Sequence, residues 1–210
     1  MEALGTLLAQ PKPNAIELAR QLSCVKYTAP FQPTDSAIRE VVTIESRGLI
    51  LSGGTTGNRT WEAALHLGSF LATPEGEKLV RGKRVIELGA GTGFLSLFCA
   101  RHLGVRAVVS SDREPALISN MHKCIALNRT DDSVFPFIPA LWDWGSPLEI
   151  TDDLNYLIED GDLRFDIALG ADLVQLKIST HPPDKADCSF WADIRYRHHS
   201  SPSVDNQRSF

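Results

Sequence analysis

A chain of 210 residues, 43% of them hydrophobic, is sized for one α/β domain with an appendage and carries enough apolar side chain to pack a core. Its formal net charge of -5 argues against a nucleic-acid binder that draws affinity from a basic face, and so against DNA as a partner, leaving room only for local basic patches. Cys24, Cys99, Cys124 and Cys188 make no CxxC pair and no zinc-ligand spacing, which predicts reduced thiols in a cytoplasmic or nuclear protein without a metal, and no apolar run approaches the roughly 18 residues of a membrane span.

Residues 1–29 set Leu4, Leu7, Leu8, Ile16, Leu18, Ala19 and Leu22 at helical spacing around Pro11 and Pro13, which predicts two short helices joined at the prolines. Residues 30–36 read as a linker that closes an N-terminal helical extension over 1–36. Ile38–Ser46 is β-branched and roughly alternating, the pattern of an edge strand or hairpin. After the glycine-rich turn at Ser52–Gly57, Thr60 predicts an N-cap, with Trp61 and Glu62 in the first turn of a helix that runs to Leu71. Trp61 by itself reads equally well as a core anchor.

The centre of the chain is the most regular. Arg84–Leu88 predicts a strand that turns through Gly89, Gly91 and Gly93 into a helix, with Phe94, Leu95, Leu97, Phe98 and Ala100 on the sheet and an end near Gly104. Arg106–Ser110 predicts a strand buried on both faces, with Asp112 at its carboxyl end. A helix over Glu114–Asn128 tolerates Pro115 in its first turn, and Val134–Leu141 and Phe165–Asp172 predict a third and fourth strand. This alternation predicts an α/β, Rossmann-like doubly wound and mostly parallel sheet over residues 37–174. Its ligand should lie outside the carboxyl ends of the strands, where the glycine turn, Asp112, Trp142-Asp143-Trp144 and Asp172 fall. From Gln175 to Phe210 no strand–helix unit is predicted, and His198-His199 has no carboxylate or cysteine at metal-ligand spacing.

The glycine turn reads as a cradle for a nucleotide cofactor, the alternative being a structural strand–turn–helix corner. Glu87 stands two positions before the first glycine, and Asp112 follows about 20 residues on, the spacing at which a second strand presents a carboxylate to a ribose. A dinucleotide fingerprint needs its third glycine where this chain has Phe94, and no Gly-Lys-Ser/Thr follows for a phosphate loop. Asp112 also reads as a helix-capping residue before Glu114-Pro115, and the two roles can coexist.

Glu87-x-Gly-x-Gly-x-Gly93 at the end of a first strand resembles motif I of class I S-adenosylmethionine-dependent methyltransferases. With Thr60-Trp-Glu-Ala-Ala64, Leu141-Trp-Asp-Trp-Gly145 and Gly170-Ala-Asp172 included, residues 37–174 are similar to family 16 of the seven-strand methyltransferases, which mostly methylate lysine in other proteins. Within that group the Gly54-Thr-Thr-Gly-x-x-Thr-Trp-Glu-Ala63 wording and the N-terminal extension are similar to the eukaryotic elongation factor 2 lysine methyltransferases. The resemblance implies S-adenosylmethionine as cofactor, held by Trp61, Glu87, Gly89, Ala90, Gly91, Asp112, Trp144 and Ala171, with Trp144 beside the adenine and Trp142 as the alternative neighbour. It implies Asp172 as the residue that orients the methyl-accepting amine, and a protein substrate such as a translation elongation factor, with no metal and no membrane. Two other readings stay open: a methyltransferase acting on RNA or a small molecule, which the acidic balance disfavours, and a non-catalytic binding module that keeps the cofactor fold. Where the family carries an aromatic wall of the lysine channel, this chain has Gln175. Residues 175–210 are accordingly expected to be an irregular non-family tail, from intron read-through, a frameshift or an alternative isoform, on a truncated class I fold that lacks strands five to seven.

Overall fold

The computed structural model describes residues 21–30, 38–46, 55–129, 135–149, 151–159 and 162–173. The chain divides into two units, Met1–Lys177 and Ile178–Phe210, and every described residue belongs to the first. The helices expected over residues 1–20, the tail from Gln175 and its histidine pair lie outside the described residues.

The first described element is a strand where the sequence predicts helix. Leu22–Thr28 (β1) pairs antiparallel with Glu40–Ser46 (β2), in register from Leu22↔Ser46 to Thr28↔Glu40. The apolar spacing that ends at Leu22 continues a helical pattern, but Val25, Tyr27 and Thr28 are strand formers. Pairing along a partner strand outweighs local periodicity there. The hairpin expected around Ile38–Ser46 is present, and its second strand buries Val41, Thr43 and Glu45 on one face.

Glu62–Leu71 (α1) leads to Pro74–Val80 (α2), a short helix that the apolar spacing does not predict. Thr73 caps it, its hydroxyl accepting the Gly76 N–H at 3.1 Å. Arg84–Leu88 (β3), Phe94–His102 (α3), Ala107–Asp112 (β4), Pro115–Asn128 (α4) and Phe137–Leu141 (β5) follow the predicted alternation closely. A 3-10 turn at Asp152–Leu157 and a small hairpin of Ile158–Glu159 (β6) with Asp162–Leu163 (β7) precede Ile167–Gly170 (β8). The fourth strand is shorter than Phe165–Asp172 for two reasons. Asp166 turns aside to accept the Arg84 N–H at 2.8 Å and pair with its guanidinium, and Asp172 has a positive φ of 54° that leaves the ladder.

The main sheet runs β5-β4-β3-β8, with every adjacent pair parallel. All five residues of β3 are buried, as expected of a central strand covered on both faces. Val85, Leu95, Leu97, Leu103, Val108, Leu117 and Met121 make the centre of the core. The chain moves from β3 outward to β4 and β5, then returns to the opposite side of β3 as β8. That reversal opens a crevice beyond the carboxyl ends of the strands.

The β1–β2 hairpin stands outside this sheet and is fastened by α4. Asn128 accepts the Val42 N–H at 2.9 Å and donates to the Val42 carbonyl at 2.7 Å, while Asn120 donates to the Ile44 carbonyl at 2.8 Å. Asn120, Cys124 and Asn128 form one stripe of the helix, so two side-chain amides close backbone groups of β2 that β1 does not pair.

Candidate active site

A cleft of about 430 Å³ opens at the carboxyl ends of β3, β4 and β8. Trp61, Glu87, Gly89, Ala90, Gly91, Asp112, Trp144, Ala171 and Asp172 all line it, so the fold brings together the residues expected to hold the cofactor and the one expected to orient the amine. Trp142 and Asp143 also lie on its wall.

The floor is the turn from β3 into α3. Gly91 has φ +56°, and a Cβ built there would stand 2.9 Å from the Gly57 carbonyl oxygen, so two backbone segments meet where only glycine fits. The Ala90 N–H donates to the Ser111 carbonyl at 2.9 Å, and the Gly91 N–H donates to Asp112 Oδ2 at 3.0 Å. Asp112 Oδ1 accepts the Glu114 N–H at 3.1 Å. The same carboxylate thus fastens the turn, a task the sequence did not suggest, and holds the backbone at the entry to α4, the position where a capping residue was expected.

Glu87 is turned under α3. Its Oε2 accepts the Ser96 N–H at 2.9 Å and the Ser96 hydroxyl. Gly93 is the N-cap of α3 and has no side chain to offer, so the buried Glu87 carboxylate serves an orphan N–H of the first turn instead. Burial pushes this carboxyl up from 4.5 to about 7, against the lowering effect of the Ser96 bonds. The folded protein therefore holds the proton more tightly than the unfolded chain. The stability this contributes is complete below pH 4.5 and is lost as pH rises to about 7, a swing on the order of 3 kcal/mol. Glu87→Gln is expected to show a flatter dependence of melting temperature on pH between about 5 and 8 than the wild-type protein; superimposable profiles would refute the assignment.

Thr60 does not cap α1. Trp61 takes the N-cap position without a side-chain bond, and Asp172 Oδ2 accepts the Ala63 N–H at 3.3 Å from across the cleft mouth. The Thr60 hydroxyl is drawn away by Glu45, donating to its Oε1 at 2.7 Å, and it also meets the Thr92 hydroxyl at 2.7 Å. The bond that the hydroxyl donates to a buried carboxylate is stronger than the one it would accept from a backbone N–H at the helix end, and it sets where the side chain points. Trp61 is half-buried on the wall rather than a core anchor. Its indole N–H donates to the Thr56 carbonyl at 3.1 Å, and Arg59 lies 5.8 Å from the ring centroid. Trp144 reaches over the floor, its ring 3.5 Å from where a Cβ on Gly89 would stand, whereas Trp142 spends its N–H on the Ser146 carbonyl at 2.8 Å.

The residue that sequence reasoning overlooked is Glu45. The signal was available: it falls in inward register with Val41 and Thr43 on an otherwise buried strand face, where an acid demands several donors.

A parallel α/β sheet with a glycine turn after β3 and a carboxylate at the end of β4 has the architecture of a Rossmann-like nucleoside-cofactor fold. The chain matches methyltransferase family 16, described as lysine methyltransferase, over residues 48–180, and it belongs to that family. It is 38% identical over 173 residues to the protein-lysine N-methyltransferase EFM3 of Chaetomium thermophilum, which covers 82% of this chain and 50% of that protein. It is 32% identical over 145 residues to EFM3 of Saccharomyces cerevisiae, with 62% and 42% covered. Against the human protein-lysine N-methyltransferase EEF2KMT it is 32% identical over 87 residues, with 41% and 26% covered. The chain thus spans half or less of the length of these relatives.

Proposed function

We propose that this protein binds S-adenosylmethionine in the cleft and transfers its methyl group to a lysine side chain of a protein substrate, a translation elongation factor, in the cytoplasm. The observation that carries this reading is the convergence of the glycine turn, the Asp112 carboxylate and the Trp144 ring on one cleft, within a chain of the lysine methyltransferase family.

The residues suit the cofactor. Each Asp112 oxygen accepts one backbone N–H and keeps a further lone pair, which matches the two hydroxyls of a ribose. The turn carries no lysine to balance a phosphate, and the tryptophan faces of the wall suit a cation without hydrogen-bond donors. When bound, S-adenosylmethionine supplies an electrophilic methyl group on a sulfonium centre. The protein's share is positioning. Asp172, held at the mouth by the Ala63 N–H, accepts a hydrogen bond from the incoming amine and turns its lone pair toward the cleft. Trp61 and Trp144 exclude water from the path. The elongation-factor substrate rests on the Gly54–Ala63 wording and on the similarity to EEF2KMT.

Calorimetry with S-adenosylmethionine, followed by transfer of labelled methyl groups to purified elongation factor 2 and to a lysate with or without ribonuclease, tests the proposal. Binding and ribonuclease-resistant labelling of protein are expected. No cofactor binding, or label that ribonuclease removes, would sink it. Asp172→Asn is expected to lower methyl transfer about 100-fold while leaving cofactor affinity within about threefold, because misplacing the amine costs rate rather than cofactor binding. Equal losses in both quantities would place Asp172 on the cofactor instead.

A further inference from the structure

Glu45 lies on β2, in an element outside the parallel sheet, yet the residue is only 3% exposed and its carboxylate gathers four donors. Tyr27 Oη donates to Oε2 at 3.2 Å, the Thr60 N–H to Oε2 at 3.1 Å, the Thr60 hydroxyl to Oε1 at 2.7 Å, and the Thr43 hydroxyl also to Oε1. Thr60 has one hydroxyl proton. With that proton on Glu45, the 2.7 Å contact between Thr60 and Thr92 must be a bond donated by Thr92. A single line of hydrogen bonds therefore runs from the β1–β2 hairpin through Thr60 to Thr92, which stands between Gly91 and Gly93 in the turn that floors the cleft. Thr60 and Thr92 both line that cleft, and Thr60 directly precedes Trp61 on its wall.

Burying a carboxylate costs folding free energy that an apolar side chain of the same size would not. The arrangement is therefore informative about what the carboxylate holds. We propose that Glu45 is a positioning residue for the cofactor turn: it fixes Thr60, and through Thr60 it fixes Thr92 and the wall at Trp61, so that the hairpin sets the shape of the cleft before any ligand enters. This rests on the cofactor reading above for its effect on affinity, but the hold on the turn is a property of the protein alone.

The test measures amide hydrogen exchange over residues 88–95 in the ligand-free protein and affinity for S-adenosylmethionine by calorimetry. Glu45→Ala is expected to speed exchange in the turn and to weaken binding by tenfold or more, on the order of what losing one or two charge-assisted bonds does. Glu45→Gln is expected to stay within about threefold of wild type, because the amide can donate to the two threonine hydroxyls, which rotate to accept, while its oxygen keeps Tyr27 and the Thr60 N–H. Thr60→Val, which cuts the line without removing the carboxylate, gives the same direction of change and serves if Glu45→Ala does not fold. Leu103→Ala, a core cavity at the far end of α3, controls for simple destabilisation and should leave both quantities at wild-type values below its melting temperature. Wild-type exchange in Glu45→Ala and Thr60→Val, an equal response in Leu103→Ala, or a glutamine variant as impaired as alanine would overturn the proposal. If the wild-type protein binds no cofactor, the reading of function falls, and the exchange measurement still decides what Glu45 holds.

Discussion

Gly91→Ala is expected to abolish measurable cofactor binding, with an affinity loss of at least about 100-fold, and to destabilise the fold by about 2–4 kcal/mol. Two costs combine. At φ +56° any side chain with a Cβ pays about 1–2 kcal/mol for the left-handed backbone. The added methyl would also stand 2.9 Å from the Gly57 carbonyl oxygen and 3.3 Å from the Gly57 Cα, and both are backbone, which no rotamer change can move aside. The turn would have to part from residues 57–61, the segment that carries Thr60 and Trp61 on the cleft wall. Gly89→Ala provides the contrast: at φ +59° it carries the same backbone cost, but its Cβ would clash with the Leu173 side chain at 2.8 Å, a flexible neighbour that can swing away, and meet the Trp144 ring at an ordinary contact distance of 3.5 Å. Denaturant unfolding should therefore show a smaller loss for Gly89→Ala, and calorimetry a larger share of damage on binding than on stability, because that methyl points toward Trp144. If Gly91→Ala binds the cofactor like the wild-type protein, the turn is not the floor of the site.

What the sequence made legible follows from where each signal is local. The apolar runs of β3 and β4 are buried on both faces, so every residue in them speaks for the same assignment, and the boundaries fall within a residue or two. The glycine turn and Asp112 were readable for a similar reason: left-handed backbone and a carboxylate at a strand end are demands that few residue types meet. α2 announced itself through Thr73 and Pro74 but offered no apolar stripe long enough to be noticed. The failures lie where a distant group overrides a local preference. β1 is a strand because β2 pairs with it, although the residues before it keep a helical rhythm. Thr60 abandons the helix end because Glu45, fifteen positions earlier, takes its hydroxyl, and Asp172 supplies the bond to Ala63 from more than a hundred positions away. Asn120 and Asn128 read as polar positions on a helix, yet both are buried against the edge of β2. In each case the partner is fixed only by the fold, so the residue's role could not be read from its neighbours in sequence.

Asp112→Ala should separate the carboxylate's two tasks. On the protein side it removes the acceptor for the Gly91 and Glu114 N–H groups, bonds of 3.0 and 3.1 Å, and the expected cost is about 1–2 kcal/mol, because Gly91 is buried and the residue is itself partly open to water. On the ligand side it removes the group proposed to receive both ribose hydroxyls. Two bonds to a charged acceptor contribute roughly 3–4 kcal/mol together, so affinity for S-adenosylmethionine should fall by about 100- to 1,000-fold, more than the loss of stability can explain. Asp112→Asn keeps the shape but sets an amide donor against one of the two backbone N–H groups, so it should recover little of the affinity despite its size. The affinity of the cofactor for Asp112→Ala, measured by calorimetry beside its unfolding free energy, decides the matter: a loss of less than tenfold would remove Asp112 from the ribose and leave it a fastener of the turn. The double variant with Gly91→Ala adds a second check. Both substitutions act on the same N–H, so their effects on stability should sum to less than the two separate losses, whereas independent sites would add.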